Sequence, residues 1–171
     1  MIEIRQITPE NFHIDSHAAL LIDAVDSGAS IGFIAPLSQE QAIAYWQGVH
    51  QALINGHTLL GAFSQGQLVG SVQLSCSHKA NGLHRAEVEK LFVSRSHRGQ
   101  GVAAFLMQAI EEKAREMGRW LLFLDTKQGD TAERLYMRIG YARVGVIPNF
   151  AANSGGGYAG TVFFYKQLTA R

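Results

Sequence analysis

The chain has 171 residues, of which 47% are hydrophobic and 17% are charged. This length fits one domain with one buried core, and this balance excludes a chain that is disordered over most of its length. With 15 Lys and Arg against 14 Asp and Glu, the formal net charge is +1, which excludes a global field for gripping nucleic acid or an anionic membrane.

The sequence predicts a soluble, cytoplasmic protein. No apolar run approaches the roughly 18–20 residues of a membrane-spanning helix, and the N-terminal Met1–Arg5 segment is unlike a signal peptide. The single cysteine, Cys76, cannot form an internal disulfide, which favours a reducing compartment. Cys76 follows Val72 and Leu74 at every second position, which places it on the apolar face of a strand. We therefore expect it in the core.

The first half of the chain predicts a strand, two helices and an antiparallel meander. The expected elements are a strand at Ile2–Gln6, a helix from Thr8 to about Val25, a loop at Asp26–Phe33, a helix from Ser38 to Asn55, and strands at His57–Ser64, Gln67–Ser77 and Arg85–Val93. Pro9 suits the first turn of a helix, and Ser38 with Gln41 forms a capping-box pattern. Gln65-Gly66 and Asn81-Gly82 are turn signals.

The second half alternates helices and strands. The expected elements are a polar stretch at Ser94–Gln100, a helix over Val102–Met117, a strand at Trp120–Leu124, a helix at Ala132–Ile139, strands at Tyr141–Val146 and Thr161–Leu168, and a flexible segment at Ala151–Gly160. The unbroken apolar run Trp120–Leu124 predicts a strand that is buried on both faces. Together these elements predict an α/β (α+β mixed) fold with helices on both faces of a sheet.

A glycine-rich turn, Arg98-Gly99-Gln100-Gly101-Val102-Ala103, lies between a predicted strand and a predicted helix. Glycines let a ligand approach the backbone, and the helix N-terminus adds free N–H groups, so the turn predicts an anion site. A P-loop is excluded because Gly-Lys-Ser/Thr is absent. Gly99-x-Gly101-x-x-Ala104 fits a dinucleotide fingerprint, but a polar stretch separates it from Val93 and few residues follow Asp125. Coenzyme A is the third candidate ligand.

Two motifs resemble those of the GNAT acetyltransferase superfamily. The first is Arg98-x-x-Gly101-x-Ala103 after the strand end Leu91-Phe92-Val93, and the second is Ala132-x-x-Leu135-Tyr136-x-x-x-Gly140-Tyr141. The resemblance implies one acetyltransferase domain over residues 1–171, acetyl-CoA as cofactor, and a mixed, mostly antiparallel central sheet with splayed middle strands. Residues 78–98 also carry an excess of basic side chains that suits a phosphate-rich cofactor, namely Lys79, Arg85, Lys90, Arg95 and Arg98.

The same resemblance implies roles for individual residues. The expected cofactor-binding residues are Leu91, Phe92, Val93, Arg98, Gly99, Gln100, Gly101, Val102, Ala103, Thr126 and Tyr136. The main chain of Leu91 and Val93 is expected to hold the cofactor, with a backbone N–H as oxyanion donor. Tyr136 is expected to be the general acid, because similar enzymes place a tyrosine of this helix near the cofactor sulfur.

Carboxylates are the first candidates for the general base. Glu87 and Glu89 lie two apart on one strand and face the same side, and the resemblance favours Glu87, acting through water. Asp125 follows an apolar strand at the carboxyl end of the sheet, where ligands of open α/β sheets bind. His78 and His84 titrate near neutrality and are further candidates. No spacing is typical of a zinc site, so no metal is expected.

A more specific resemblance, to the tabtoxin-resistance acetyltransferases, covers most of the chain. It rests on Gly28–Phe33, Gln73–Ser75, Asn81–Leu83, Arg85–Val88, Lys90–Leu91, Leu124–Thr126 and Ala142–Gly145, whereas Ser154–Tyr158 departs from it. Those enzymes confer toxin resistance by acetylating the amino group of a small β-lactam. A small primary amine is therefore the expected acceptor, with direct transfer. The expected acceptor-binding residues are Ile31, Phe33, Asn81, Arg85, Glu87 and Asp125, with the Gly155–Tyr158 loop.

Other acceptors stay open at this point. They are another antibiotic or metabolite amine, a peptide, and a protein N-terminus or lysine. A non-catalytic acyl-CoA-binding module is the alternative from a different class, and it predicts cofactor binding without turnover. The expected assembly is a monomer or a homodimer, with no nucleic-acid or membrane partner.

Overall fold

The computed structural model describes residues 1–168. The strands are β1 (Ile2–Ile7), β2 (Thr58–Ser64), β3 (Gln67–Cys76), β4 (Arg85–Val93), β5 (Leu121–Lys127), β6 (Ala142–Ala152) and β7 (Tyr158–Gln167). The α-helices are α1 (Ile14–Asp26), α2 (Gln39–Ile54), α3 (Val102–Glu116) and α4 (Thr131–Arg138). Short 3₁₀ turns occupy Pro9–Asn11, Ala80–Gly82 and Arg95–His97.

The strands form one seven-stranded sheet in the order β1-β2-β3-β4-β5-β7-β6. Every neighbouring pair is antiparallel except β4 and β5, which are parallel. The β4–β5 pairing covers only Arg85–Glu87 against Leu121–Phe123, and beyond it the two strands separate. The prediction of a mostly antiparallel sheet with splayed middle strands is confirmed.

Helices cover both faces of the sheet, as predicted. One core contains the buried side chains of α3, with Tyr136 of α4 and Leu122 and Leu124 of β5. The other core contains those of α1 and α2, around the fully buried Trp46. The fold is therefore the mixed α/β arrangement that the element order indicates.

The N-terminal helix begins later than predicted. Thr8 caps only a 3₁₀ turn, where its N–H donates to Asn11 Oδ1 at 2.8 Å, and α1 starts at Ile14. Phe12 interrupts the helix with an extended backbone, and its ring stacks on His17 at 4.5 Å between centroids. The break at Phe12 thus coincides with packing of its ring against α1.

Strand β5 is buried on one face only, so the prediction of burial on both faces was wrong. Leu122 and Leu124 are buried, but Phe123 is only partly buried and Trp120, just before the strand, is 48% exposed. Within residues 1–168, the core under α1 and α2 takes no side chain from β5. The second face of β5, with Leu121, Phe123 and Asp125, is therefore only partly covered.

The predicted flexible segment Ala151–Gly160 is largely a β-hairpin instead. Strand β6 continues to Ala152 and β7 starts at Tyr158, with Asn153 N–H donating to the Gly157 carbonyl at 3.0 Å across the turn. The hairpin turn contacts the α1–α2 loop, because Ser154 Oγ accepts a hydrogen bond from Ala35 N–H at 2.9 Å. The three glycines are confined to the turn, and the residues on either side pair as strands.

A buried ion pair joins α3 to β7 and to the end of α4. Glu111 is 7% exposed, and both of its carboxylate oxygens accept from Lys166 Nζ at 2.8 Å. Lys166 also donates to the Ile139 carbonyl at 2.7 Å. Because one ammonium serves three acceptors, its loss or the loss of its counter-ion leaves several groups unpaired.

Glu111→Gln is expected to lower the free energy of unfolding by about 3 kcal/mol, because it leaves the Lys166 ammonium without its buried counter-ion. Urea denaturation followed by circular dichroism measures this loss. Glu116→Gln is the matched control, since Glu116 pairs with Lys113 at the surface, and it should change stability by less than about 0.5 kcal/mol. Equal losses in the two variants would contradict the assignment.

Within the described part of the chain, no helix combines the length and apolarity needed to cross a membrane.

Candidate active site

A cavity of about 840 Å³ opens where β4 and β5 separate. Its walls come from β4, the glycine turn with the start of α3, the α1–α2 loop, the end of β5 and α4. The parting of the sheet thus brings the two sequence motifs to one place. The main chain of β4 beyond Glu87 has no pairing with β5, so its groups on this edge are available to a ligand.

The glycine turn lies at one end of this cavity and has the backbone geometry of an anion-binding site. Gly99 and Gly101 have φ of 75° and 81°, in the left-handed region that favours glycine. The first backbone hydrogen bond of α3 runs from Phe105 N–H to the Gly101 carbonyl at 3.1 Å. The N–H groups of the three preceding residues, 102–104, therefore lack intrahelical acceptors, and all three residues line the cavity. This arrangement fits the charge of a pyrophosphate.

Arg98 holds the glycine turn in place. Its Nε donates to the Val93 carbonyl at 3.2 Å, and its Nη2 and Nη1 donate to the Ser27 hydroxyl and carbonyl at 2.6 and 3.2 Å. The guanidinium thus ties β4 to the end of α1 while still lining the cavity. Two of its five N–H groups remain free for an anion.

A β-bulge interrupts β4 beside the cavity. Gln73 pairs with Glu89 and Ser71 with Phe92, so β4 carries one residue more than β3 between these pairs. Lys90 in this bulge has φ of +53°, which is uncommon for a residue other than glycine. The bulge changes the direction of the following side chains, and Leu91, Phe92 and Val93 all line the cavity.

Three carboxylates lie at the other end of the cavity. Glu87, Glu89 and Asp125 all line it, and Asp125 Oδ2 accepts a hydrogen bond from Thr161 Oγ1 at 2.9 Å. Partial burial raises the pKa of Glu87, and the negative charges of Glu89 and Asp125 raise it further, while Lys90 opposes them. A carboxylate with a raised pKa is suited to accept a proton near neutral pH.

Tyr136 forms part of the wall opposite β4. It is 6% exposed, and its ring packs against Phe164 and Tyr141 at 5.7 and 5.9 Å between centroids. Burial raises the pKa of its hydroxyl well above the ordinary value, with smaller contributions from Asp130 and Asp125. The hydroxyl therefore stays protonated at neutral pH and is available as a donor.

The structure brings most of the predicted site residues together. Those that line the cavity are Ile31, Glu87, Leu91, Phe92, Val93, Arg98, Gly99, Gly101, Val102, Ala103, Asp125, Thr126 and Tyr136. Those outside its lining are Phe33, Asn81, Arg85 and Gln100. The functional roles of all these residues stay predictions.

Each residue outside the lining has another environment. Phe33 packs edge-on against Tyr45 at 5.1 Å between centroids. Asn81 lies exposed in a 3₁₀ turn, and Arg85 lies beside Gly82 of that turn. Gln100 donates from Nε2 to the Ser96 carbonyl at 3.0 Å.

The two histidines that were further candidates for the base, His78 and His84, are also outside the cavity lining. The ring of His84 stacks on Trp120.

Several residues of the cavity were missed by sequence reasoning. Phe150 and Thr161 enter from the C-terminal hairpin, and Leu135 enters from α4. Lys90 was counted within the basic excess and within the tabtoxin-resistance resemblance, but not as a site residue. The Ala35–Ser154 contact joins residues 119 positions apart, and no local pattern signals such a pairing.

A family model supports the same conclusion as the fold and the cavity. The model of the acetyltransferase (GNAT) family matches residues 32–141. The chain therefore belongs to the GNAT acetyltransferase family. An uncharacterized N-acetyltransferase of Azospirillum brasilense, from the hisH-hisA intergenic region, is 33% identical over 62% of this chain. The match spans 63% of that relative's length.

Two solved structures have the same fold. A ribosomal-protein-alanine N-acetyltransferase from Brucella melitensis superposes with a TM-score of 0.81 and 23% identity, over 97% of this chain and 99% of that one. A putative acetyltransferase, yncA, from Salmonella typhimurium was solved with acetyl-CoA and has a TM-score of 0.79 and 17% identity, over 100% and 96% of the two chains. At these identities the similarity shows the fold alone.

Within residues 1–168, no group of three or more His, Cys, Asp or Glu side chains is placed to hold a metal ion.

Proposed function

We propose that this protein is an N-acetyltransferase that moves an acetyl group from acetyl-CoA to the primary amine of a small molecule. The observation that carries the proposal is the cavity between β4 and β5. It has an anion-binding helix N-terminus at one end and a half-buried carboxylate with a raised pKa at the other. An acyl-transfer reaction between a phosphate-rich donor and an amine needs both ends.

The cavity fits acetyl-CoA. Gly99, Gly101 and Val102 would hold the pyrophosphate through main-chain N–H groups, and the unpaired edge of β4 at Leu91 and Val93 would orient the acetyl end. When bound, acetyl-CoA supplies an acetyl thioester activated for transfer. A main-chain N–H of β4 directed at the thioester oxygen would stabilise the charge that develops there.

Glu87 is the proposed general base, directly or through a water. An amine enters the cavity as an ammonium ion and becomes nucleophilic only after it loses a proton. Glu87 combines a place on the cavity wall with a pKa raised by burial and neighbouring charge. Asp125, fixed by Thr161, is proposed to orient the amine or the water, and it is the alternative base.

Tyr136 is the proposed general acid. Its protonated hydroxyl belongs to a buried residue that lines the same cavity as Glu87. In the proposed mechanism it donates toward the departing sulfur while Glu87 takes the proton of the amine. Cys76 lies outside the cavity lining. This position supports direct transfer to the amine without an acyl-enzyme on the cysteine.

The hairpin turn favours a small acceptor over a protein tail. The Ala35–Ser154 hydrogen bond joins the α1–α2 loop to the β6–β7 turn. Residues 28–32 of this loop and Phe150 and Ala151 of β6, next to the turn, line the cavity. An extended peptide would need this connection to open. A β-lactam of the tabtoxin type, or another antibiotic or metabolite amine, is therefore proposed as acceptor, with toxin resistance as the role. A protein N-terminus is the second candidate acceptor, because the Brucella structure is named a ribosomal-protein-alanine N-acetyltransferase.

Ser154→Ala is expected to raise KM for the acceptor amine about fivefold and to leave KM for acetyl-CoA unchanged, because one hydrogen bond contributes about 1 kcal/mol. Steady-state kinetics with each substrate varied in turn measures both constants. Ser77→Ala is the matched control, since the Ser77 hydroxyl accepts from Lys79 N–H in a different turn. A rise in KM for acetyl-CoA alone would contradict this expectation and would indicate that the hairpin helps to bind the cofactor.

Amine-dependent release of coenzyme A thiol tests the proposed function. The amines should include tabtoxinine-β-lactam, L-amino acids, spermidine and an alanine-terminated peptide. Turnover with a small amine and little with the peptide is the expected result. Tight acetyl-CoA binding without turnover on any amine would instead favour the non-catalytic binding module.

Organisation and location are proposed along with the activity. One continuous sheet runs through the described residues, which supports a single catalytic domain over residues 1–171. A cytoplasmic protein that acts as a monomer or homodimer, without nucleic acid or metal, stays a prediction.

A further inference from the structure

Lys90 has an unusual backbone conformation on the cavity wall. Its φ of +53° falls in the β4 bulge, and a non-glycine residue in this region costs of order 1 kcal/mol or more. Lys90 lines the cavity together with Gly32 of the α1–α2 loop. Its Nζ lies 3.5 Å from the position that a Cβ on Gly32 would take. The ammonium thus reaches from β4 to the opposite loop.

The Lys90 ammonium has no ion-pair partner among residues 1–168. This is notable because Glu87 and Glu89 are on the same strand and the charge of Lys90 acts on Glu87. Glu87 is thus near enough to feel the charge of Lys90 but does not contact its ammonium, whose N–H groups can bind an anion of a ligand. The anion can belong to the cofactor or to the acceptor, and the position of Lys90 decides between them.

Lys90 lies away from the anion-binding glycine turn. The Arg98 side chain joins Val93 to Ser27 at that turn. From Val93, strand β4 leads back toward its start and reaches Lys90 after about 10 Å. From Ser27, the α1–α2 loop leads forward along the chain to Gly32. The two segments meet again where Lys90 Nζ approaches Gly32. The ammonium therefore belongs to the part of the cavity that leads to the carboxylates.

We propose that Lys90 binds a carboxylate of the acceptor, so that the acceptor is an amino acid or an amino-acid-like molecule. This inference rests on the proposed function. The acceptor amine would lie toward Glu87 and Asp125, and its carboxylate would lie against Lys90. Both charges of a zwitterion then meet opposite charges in one cavity, which selects against amines that lack a carboxylate.

The test compares each L-amino acid with its own carboxamide, in the wild type and in Lys90→Met. The wild type is expected to prefer the carboxylate by about tenfold or more in kcat/KM. Lys90→Met is expected to bring this ratio near unity by raising KM for the acid, with KM for acetyl-CoA unchanged. Lys79→Met, a lysine outside the cavity lining, is the matched control and should keep the preference.

Three results would overturn the assignment. One is a wild type that uses acids and carboxamides equally. Another is a rise in KM for acetyl-CoA in Lys90→Met, which would indicate that the ammonium binds the cofactor and not the acceptor. The third is loss of the preference in Lys127→Met instead, because Lys127 also lines the cavity and forms no ion pair within residues 1–168.

Calorimetry separates this inference from the proposed function. If the wild type acetylates no amine, the proposed catalysis fails, but binding of the same acids and carboxamides in the presence of coenzyme A still tests Lys90. Binding of the acids that is lost in Lys90→Met would support the carboxylate site. Equal binding in both proteins, or none, would reject it.

Discussion

Glu87→Gln is expected to lower kcat about 1,000-fold, within the range of general acid–base catalysis. The amide keeps the size of the side chain but cannot accept the proton of the ammonium ion. Glu87 must be ionised to act as a base, so activity should fall as pH drops below its raised pKa. The pH profile of kcat/KM should therefore lose its acidic limb in the variant.

Glu89→Gln is the matched control for this prediction. It should retain most of the activity, and it should move the acidic limb to lower pH, because the charge of Glu89 helps to raise the pKa of Glu87. A Glu87→Gln enzyme with full activity and an intact limb would contradict the assignment. In that case Asp125→Asn should abolish the limb, which would make Asp125 the base.

Tyr136→Phe is expected to lower kcat about 100-fold, at the lower end of the range for a general acid. The substitution removes only the hydroxyl, so the packing against Phe164 and Tyr141 should persist. KM for acetyl-CoA should change little because the ring still forms the wall. Steady-state kinetics together with a thermal melt measures activity and folding.

Tyr141→Phe provides the control for Tyr136→Phe. Tyr141 is equally buried and packs against Tyr136, but it lies outside the cavity lining. Its variant should keep nearly full kcat. Equal losses in the two variants would indicate a packing effect, and full activity in Tyr136→Phe would remove the tyrosine from the chemistry.

Elements with local signals were predicted well from the sequence. The capping box at Ser38 forms as expected, with Gln41 N–H donating to Ser38 Oγ at 3.2 Å. The Gln65-Gly66 turn adopts positive φ at both residues, which matches the right-handed twist of a hairpin. The strand at Arg85–Val93 has the predicted bounds. In each case the residues that determine the cap, the turn or the strand lie close together in the sequence.

Features that depend on distant parts of the chain were not predictable in the same way. The Trp120–Leu124 run is apolar throughout, but whether a second face is covered depends on where α1 and α2 end. The hairpin turn meets Ala35 only after the sheet has assembled. The role proposed for Lys90 depends on a bulge in β4, and the residues around Lys90 in the sequence do not reveal that its ammonium lies near Gly32.

Calorimetric titration of the wild-type protein with acetyl-CoA, with NADH titrated in parallel, tests most directly whether the divided sheet is an acyl-CoA site. The account predicts saturable binding of acetyl-CoA and no binding of NADH. Binding of NADH without acetyl-CoA would contradict it, and would return Gly99-x-Gly101-x-x-Ala104 to its alternative role as a dinucleotide fingerprint.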